Sequence, residues 1–292
     1  MNDFQLSLPL AQSGLDRDYR FRDNPNWDSE IADTAEILIM HEGQVQLGVA
    51  GELKLFSTDQ LDTFEPLAYL GKDQETGLAI ILAESPSVEG EWHNLRKSGL
   101  GLSPRDAAIF TQGLALYNWH KTHEFCPRCG TRTVVERAGW SRRCPADNSE
   151  LFPRTDPAII VGVIDSEDRI LLGSQGVWEE NRYSILAGFV EPGESLEAAV
   201  AREMQEEAGI LVANPIYLGS QAWPFPFSLM LGYTAQYVGG TVVPDGEEIV
   251  KLRWFTKSEL KAEAKTLLLP GKLSIARAII EHWLGEELLT EE

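Results

Sequence analysis

A chain of 292 residues with an apolar fraction of 43% and eight tryptophans is long enough for two domains and a sizeable core. Its net charge of −20 argues against general affinity for nucleic acid, because phosphate-backbone binding runs on Lys and Arg. An anionic substrate stays open to it, since metal ions can invert a local field. No apolar run is long enough to span a membrane. The N-terminal MNDFQLSLPLAQSGLDRDYRF lacks the basic-then-apolar order of a secretory signal, and the final Leu289-Thr290-Glu291-Glu292 carries no peroxisomal tripeptide. Three cysteines, two of them in one C-x-x-C, favour a reducing compartment and a metal over a disulfide framework, so a cytoplasmic protein is expected.

In chain order, residues 33–83 read as short strands with turns, the candidates being 36–40, 45–49 and 78–83. Ser103-Pro104-Arg105-Asp106 is a helix start: a capping serine, proline at the first helical position and an acid three residues on. Ala107, Phe110, Leu114, Tyr117 and Trp119 continue that helix to about His120. A compact segment, 126–153, follows. The continuous apolar run 158–164 reads as a buried strand. Further strands are predicted at 169–173, 184–187, 216–220, 229–237 and 250–255, with a helix between the second and third of these and an amphipathic helix over 274–284. That order predicts an α+β fold with a mixed sheet packed between helices. The expected parts are a β-rich N-terminal domain ending in a helix (1–122), a ribbon-like segment (123–152) and a C-terminal domain (153–292).

The ribbon-like segment contains Cys126-Pro127-Arg128-Cys129 and, after fourteen residues, Cys144-Pro145-Ala146-Asp147. The spacing is C-x2-C … C-x2-C with aspartate in the fourth place. Tetrahedral zinc accepts three thiolates plus one oxygen or nitrogen ligand. Either Asp147 completes the site, or His120 or His123 folds back to do so. A site with no open position is structural; the other reading is a ribbon that has lost its metal and survives by packing.

Residues 188–210 read GFVEPGESLEAAVAREMQEEAGI. Gly188 and Pro192-Gly193 mark a loop, Ser195 can cap a helix start, and Gly209 suits the left-handed position past a helix end. Between them Leu196, Val200 and Met204 recur every four residues as an apolar stripe. Glu203 and Glu207 fall one turn apart on one face, with Glu206 three from Glu203. Carboxylates gathered at the edge of an apolar stripe repel each other and resist desolvation. A divalent cation resolves both problems, and oxygen-only ligands suit Mg²⁺ or Mn²⁺, which also grip a phosphate. Glutamates without such a pattern read instead as a solvated acidic face.

Downstream, Gln221-Ala222-Trp223-Pro224-Phe225-Pro226-Phe227-Ser228 alternates prolines with aromatics, which predicts a stiff, extended backbone. Such a segment suits stacking on a base or nicotinamide ring. A Pro-rich edge strand with core aromatics is the plainer alternative.

Together these motifs resemble a known family. The spacing G-x5-E-x7-R-E-U-x-E-E-x-G-U (U aliphatic) of residues 188–210 is that of the Nudix hydrolases, with every fixed position filled. The 220–228 segment is similar to the SQPWPFPxS signature of the NADH pyrophosphatase branch, with Ala222 in place of the first proline. The cysteine spacing and Phe152-Pro153-Arg154-Thr155-Asp156-Pro157 resemble the same branch. The resemblance runs from about Arg105 to Leu284. It implies a Nudix α/β/α sandwich preceded by a zinc ribbon. The activity it implies is hydrolysis of the pyrophosphate of NADH to AMP and reduced nicotinamide mononucleotide, together with removal of NAD caps from RNA 5′ ends by a homodimer.

By position the resemblance implies divalent-metal ligands at Glu203 and Glu207, with Glu206 as a third box glutamate. A further ligand is implied at Glu248, with Glu247 the neighbouring alternative, and a backbone ligand at Ala187. It implies substrate contacts from Gln221 to Ser228, ring-flanking aromatics at Phe189 and Phe152, a backbone contact at Ala276, and a substrate arginine at Arg96 across an insertion. Phe152 stands where some relatives have tyrosine, which removes any hydroxyl role there. Asp147 departs from the four-cysteine pattern of the ribbon.

The expected mechanism has Mg²⁺ or Mn²⁺ bridging glutamates and pyrophosphate oxygens, neutralising charge and lowering the pKa of an attacking water. Glu203 is the candidate for positioning or deprotonating that water. Glu194 and Arg202 are expected to brace the loop and helix as an ion pair. ADP-ribose and dinucleoside polyphosphates are alternative substrates, because the box does not discriminate between them. A non-catalytic nucleotide sensor is the alternative from another class; the complete box and the lack of a basic recognition helix speak against it.

Overall fold

The computed structural model describes residues 3–11, 14–85 and 88–289. The C-terminal Thr290-Glu291-Glu292, where no peroxisomal signal is read, lie outside them. The chain divides into two compact units. One, here the ribbon unit, comprises residues 12–155 and Trp223–Phe227; the other, the box unit, comprises Met1–Ala11, Asp156–Ala222 and Ser228–Glu292. The boundaries therefore differ from a simple cut of the sequence into consecutive parts.

The N-terminal helix α1 (Asp3–Ser7) belongs to the box unit. The ribbon unit opens with β1 (Leu15–Asp16), α2 (Trp27–Ile31), β2 (Glu36–Ile39), β3 (Glu65–Asp73) and β4 (Ala79–Glu84). These strands form a sheet in the order β1-β3-β4-β2, antiparallel except for β2 alongside β4. Alternation puts Ile37, Ile39, Tyr69 and Ile81 into one core cluster on one face. The predicted strand at 45–49 is absent. Val45 and Leu47 make only isolated bridges, to His93 and Leu53, because Gly48 and Gly51 turn the chain there. Strand β3 has no clean alternation to betray it; Pro66 and Gly71 lie within it, beside two register shifts.

After the short α3 (Leu95–Ser98), α4 (Pro104–Thr122) starts where Ser103 Oγ accepts the Asp106 N–H at 3.1 Å. Its Gly113 faces Leu38 and Leu82 on the sheet's other side. The ribbon is a three-stranded antiparallel sheet, β5 (Val134–Glu136), β6 (Ser141–Arg143) and β7 (Glu150–Leu151). Trp140 Nε1 donates to Tyr69 O at 2.7 Å, tying the ribbon to β3.

The box unit is built on a six-stranded mixed sheet of β8 (Asp156–Ile164), β9 (Ile170–Gln175), β10 (Leu186–Phe189), β11 (Ile210–Trp223), β12 (Ser228–Gly240) and β13 (Ile249–Phe255). Its path is β11-β12-β8-β9-β13, with β10 antiparallel to β8 and β12 parallel to it. The uninterrupted apolar run of β8 is explained by burial on both faces. Ile159, Val161 and Val163 join one cluster with Val200 and Met204 of α5 (Leu196–Ala208); Ile160 joins another with Ile275, Ile279 and Trp283 of α7 (Ile275–Leu284). Helix α6 (Lys257–Glu263) adds Leu260 to that second cluster. Leu8 is buried in the same cluster, and Phe4 meets the His282 ring edge-on at 5.4 Å, which is why residues 3–11 pack here. Among the described residues no helix is long and apolar enough to cross a membrane.

Candidate active site and metal centre

Helix α5 is defined at both ends by the expected residues. Ser195 Oγ accepts the Ala198 N–H at 3.2 Å, and Gly209 closes the helix at φ +66° with its N–H on Gln205 O. Val200 and Met204 are fully buried, and Glu203 and Glu207 border the same stripe, which leaves Glu207 itself buried. Strand β10 brings Ala187 and Gly188 beside them. A Cβ built on Gly188 would fall on the Glu203 carboxylate, so a larger residue there would push that side chain aside.

Arg202 is the hub of the loop and helix. It pairs with Glu194 at 2.5 Å, Glu203 at 2.9 Å and Glu206 at 2.9 Å, and donates to Phe189 O at 2.9 Å. The expected Glu194–Arg202 brace is therefore present. These carboxylates raise the guanidinium pKa despite its partial burial.

Glu207 has no such counterion. It is 5% exposed, and among the described residues nothing donates to its Oε2. Burial, reinforced by Glu248, Glu203, Asp245 and Glu206, pushes its pKa up to about 8. Glu203 is also raised, chiefly by burial, with Arg202 opposing. Glu248 arrives on the loop before β13. That loop is stitched to the end of α5 by Val243 N–H on Ala208 O and Asp245 N–H on Glu207 O. An unsatisfied buried carboxylate oxygen among acids is a poor packing solution on its own and a fitting one for a hard divalent cation. Glu203, Glu207 and Glu248 are the residues able to hold it, with Glu206 exposed at the rim.

The 223–227 segment departs from the sequence expectation. Trp223 ends β11 and Ser228 opens β12, but residues 224–227 between them are a turn and not an extended strand, with Phe225 N–H on Trp223 O at 2.7 Å and a cis Phe225–Pro226 peptide bond. Asn118 Nδ2 on α4 holds it through Pro224 O at 3.0 Å and Pro226 O at 3.3 Å. Arg96 lies over this turn, its Cζ 4.0 Å from the Phe225 ring centroid and 5.2 Å from that of Trp223. Phe227 is buried, with His123 edge-on at 6.0 Å.

The flanking residues divide between the units. Gln221 and Ala222 lie in the box unit, where the fully buried Gln221 amide donates to Leu273 O and accepts Ile275 N–H, both at 2.9 Å. It pins the start of α7. Ala276 is buried there, its N–H on Ser274 Oγ. Ser228 begins β12 opposite Asp156. Phe189 in the box unit and Phe152 in the ribbon unit are 60% and 56% exposed, unusual for aromatics and open to a ring.

In the ribbon, Cys126, Cys129, Cys144 and Asp147 present ligand atoms all within 4.8 Å of one another. Cys129 and Cys144 sulfurs are 3.4 Å apart, and Cys126 Sγ is 3.7 Å from Asp147 Oδ2. The edges of a tetrahedron with ligands ~2.3 Å from zinc are about 3.8 Å, so the set fits structural zinc with Asp147 as fourth ligand. Ser149 holds the Asp147 carboxylate and brings its pKa down to about 2; the same hydroxyl brings the Cys126 thiol down to about 7. The histidine alternatives are not in the cluster. His120 is buried between Gly139 O and Arg142 Nη1, both at 2.9 Å, and burial with the neighbouring Arg142 charge holds its pKa down at about 4. His123 turns to Thr122 Oγ1 at 2.9 Å.

Sequence reasoning missed Asn118, Asp245 and Gln175. Only Asp245-Gly246, a turn dipeptide, left a local signal.

Residues 153–276 match the NUDIX domain, and residues 121–152 match the NADH pyrophosphatase zinc ribbon domain. The NAD-capped RNA hydrolase NudC of Mycobacterium tuberculosis is 39% identical over 319 residues, covering 98% of each chain. This chain belongs to the Nudix hydrolase family, in the branch that carries that ribbon. The same-named proteins of Pseudomonas syringae pv. tomato and pv. syringae are 41% and 42% identical, over 73% and 71% of this chain and 75% and 72% of theirs. A solved NUDIX hydrolase from Nitrosomonas europaea superposes with a TM-score of 0.44 at 20% identity, covering 57% of this chain and 99% of its own.

Proposed function

We propose that this chain hydrolyses the pyrophosphate bond of NAD(H), giving AMP and (reduced) nicotinamide mononucleotide, and removes NAD caps from RNA. The observation that carries the reading is Glu207: a buried carboxylate whose Oε2 no described residue satisfies, set among Glu203, Glu248 and Asp245 beside a complete box helix. Full-length similarity to an NAD-capped RNA hydrolase supports the substrate.

Glu203, Glu207 and Glu248 would hold the catalytic cation, Mg²⁺ or Mn²⁺, together with the Ala187 carbonyl. A cation bound there neutralises charge on the cleaved diphosphate and acidifies the attacking water. Glu203, kept in place by Arg202 Nη1, orients that water and accepts its proton. Arg202, tied to Glu194 and to Phe189 O, keeps the loop and helix in register through the reaction. Within the ribbon unit, Trp223–Phe227 with Arg96 offer aromatic surface to a base or nicotinamide, and within the box unit the exposed ring of Phe189 does the same. Zinc in the ribbon is structural. The protein works in the cytoplasm as a homodimer, and a net charge of −20 makes the cap, not a long RNA body, the recognised element.

The test is a product assay with NADH, NAD⁺, ADP-ribose and NAD-capped RNA side by side. AMP from NADH and a 5′-monophosphate RNA from the capped substrate are expected. Preferential cleavage of ADP-ribose would overturn the substrate assignment, and no cleavage of any of them would overturn the activity.

A further inference from the structure

Glu248 stands on an exposed loop outside the box, yet three independent features converge on it. Asp245 Oδ1 accepts the N–H groups of Glu247 at 3.0 Å, Glu248 at 3.1 Å and Ile249 at 2.8 Å, and Gly246 N–H returns to Ile249 O at 2.9 Å. One carboxylate thus gathers three consecutive donors and fixes the backbone from which Glu248 projects. A register shift between Ile249 and Lys251 breaks the β9–β13 ladder at the next step. Such bulges re-aim side chains at sheet ends. Finally, Gln175 of β9, the register partner of Ile249, donates Nε2 to Glu248 Oε1 at 3.0 Å.

We infer that Gln175 is a positioning residue that, with Asp245, presents Glu248 to the catalytic cation. The choice of side chain carries the argument. Glu248 raises the pKa of both Glu207 and Glu203, so it sits within electrostatic reach of the box carboxylates. Like charges at that range drive a solvent-accessible glutamate to rotate away. A lysine or arginine at 175 would hold it but would discharge the site and compete with a cation. A neutral amide engages one oxygen, leaves the carboxylate charged, and leaves the other oxygen free to ligate. Hydrogen bonds of this kind to metal-binding carboxylates orient the ligand, and losing one typically costs about 10- to 100-fold in metal affinity.

This inference rests on the metal site proposed above, and the experiment separates the two. Mn²⁺ binding to the full chain without substrate is followed by paramagnetic resonance of the free ion for wild type, Gln175→Met, Glu248→Gln, the double variant and Glu207→Gln. Methionine keeps the length of the side chain and removes the donor. The expected result is about tenfold weaker Mn²⁺ binding for Gln175→Met, with no added loss when it is placed in the Glu248→Gln background. Its turnover of NADH recovers as Mn²⁺ is raised while KM for NADH stays put, a split that mere structural damage does not give. Wild-type Mn²⁺ affinity in Gln175→Met, or losses that add independently in the double variant, would overturn the positioning role while the metal site stands. Unchanged Mn²⁺ binding in Glu207→Gln would overturn the metal site, and the role of Gln175 with it.

Discussion

The box carboxylates and the ribbon ligands are both clusters of anionic groups, and they are resolved in opposite ways. Asp147 is held as a carboxylate by Ser149, with a pKa down at about 2, and it lies within 4.8 Å of the three cysteine sulfurs. Glu207 is raised to about 8 by burial and by the acids around it, with an oxygen that no described residue satisfies. The ribbon groups are bonded to one another at short range, whereas the Glu207 oxygen has no partner among the described residues. That difference separates a site that holds a fold from a site that does chemistry.

The comparison is broken most forcefully at Glu207. Glu207→Gln is expected to lower turnover by about 10³-fold or more, as removal of a principal charge-stabilising group does. In the same variant the metal-free melting midpoint should rise, because a neutral amide relieves a buried like-charge site. Steady-state rates and calorimetry read both; a fall in both would mean that Glu207 is a packing residue.

Next is the ribbon. Cys144→Ala should release zinc and destabilise the chain by several kcal/mol, since structural zinc contributes folding energy directly. Asp147→Cys should hold zinc more tightly, seen as slower transfer to a chromogenic chelator, without changing turnover. An unchanged transfer rate would remove Asp147 from the shell.

A third prediction concerns His120, whose folded pKa of about 4 lies below its ordinary 6.5. Its neutral form is the one the fold accepts, so its contribution is whole above pH 6.5 and is lost as pH falls toward 4, about 3 kcal/mol in all. Urea midpoints across that window should fall in wild type and flatten in His120→Gln. The smallest effect is expected from Asn118→Ala. Loss of its bonds to Pro224 O and Pro226 O should raise KM for NADH by about fivefold with kcat nearly unchanged.

What could be read from the sequence follows the range of the interactions. The box was legible almost residue by residue because Ser195, Val200, Glu203, Glu207 and Gly209 act within one helix, where spacing is geometry. The two knuckles of the ribbon were legible from their spacing, but the choice between Asp147, His120 and His123 was left open and only the fold brings Asp147 to the cysteines. The 223–227 segment was misread: alternating prolines and aromatics read as extended, while Asn118, more than a hundred positions away, holds it as a turn. The support of Glu248 by Gln175, and the packing of Phe4 and Leu8 against α7, join distant stretches of chain and left no periodic trace.

The most direct test of the central claim is product analysis of the purified chain with NADH, with and without added Mn²⁺, in wild type and Glu207→Gln. The account predicts AMP and reduced nicotinamide mononucleotide in equal amounts, only in wild type and only with the divalent cation. Equal product formation after exhaustive chelation, or by Glu207→Gln, would contradict it.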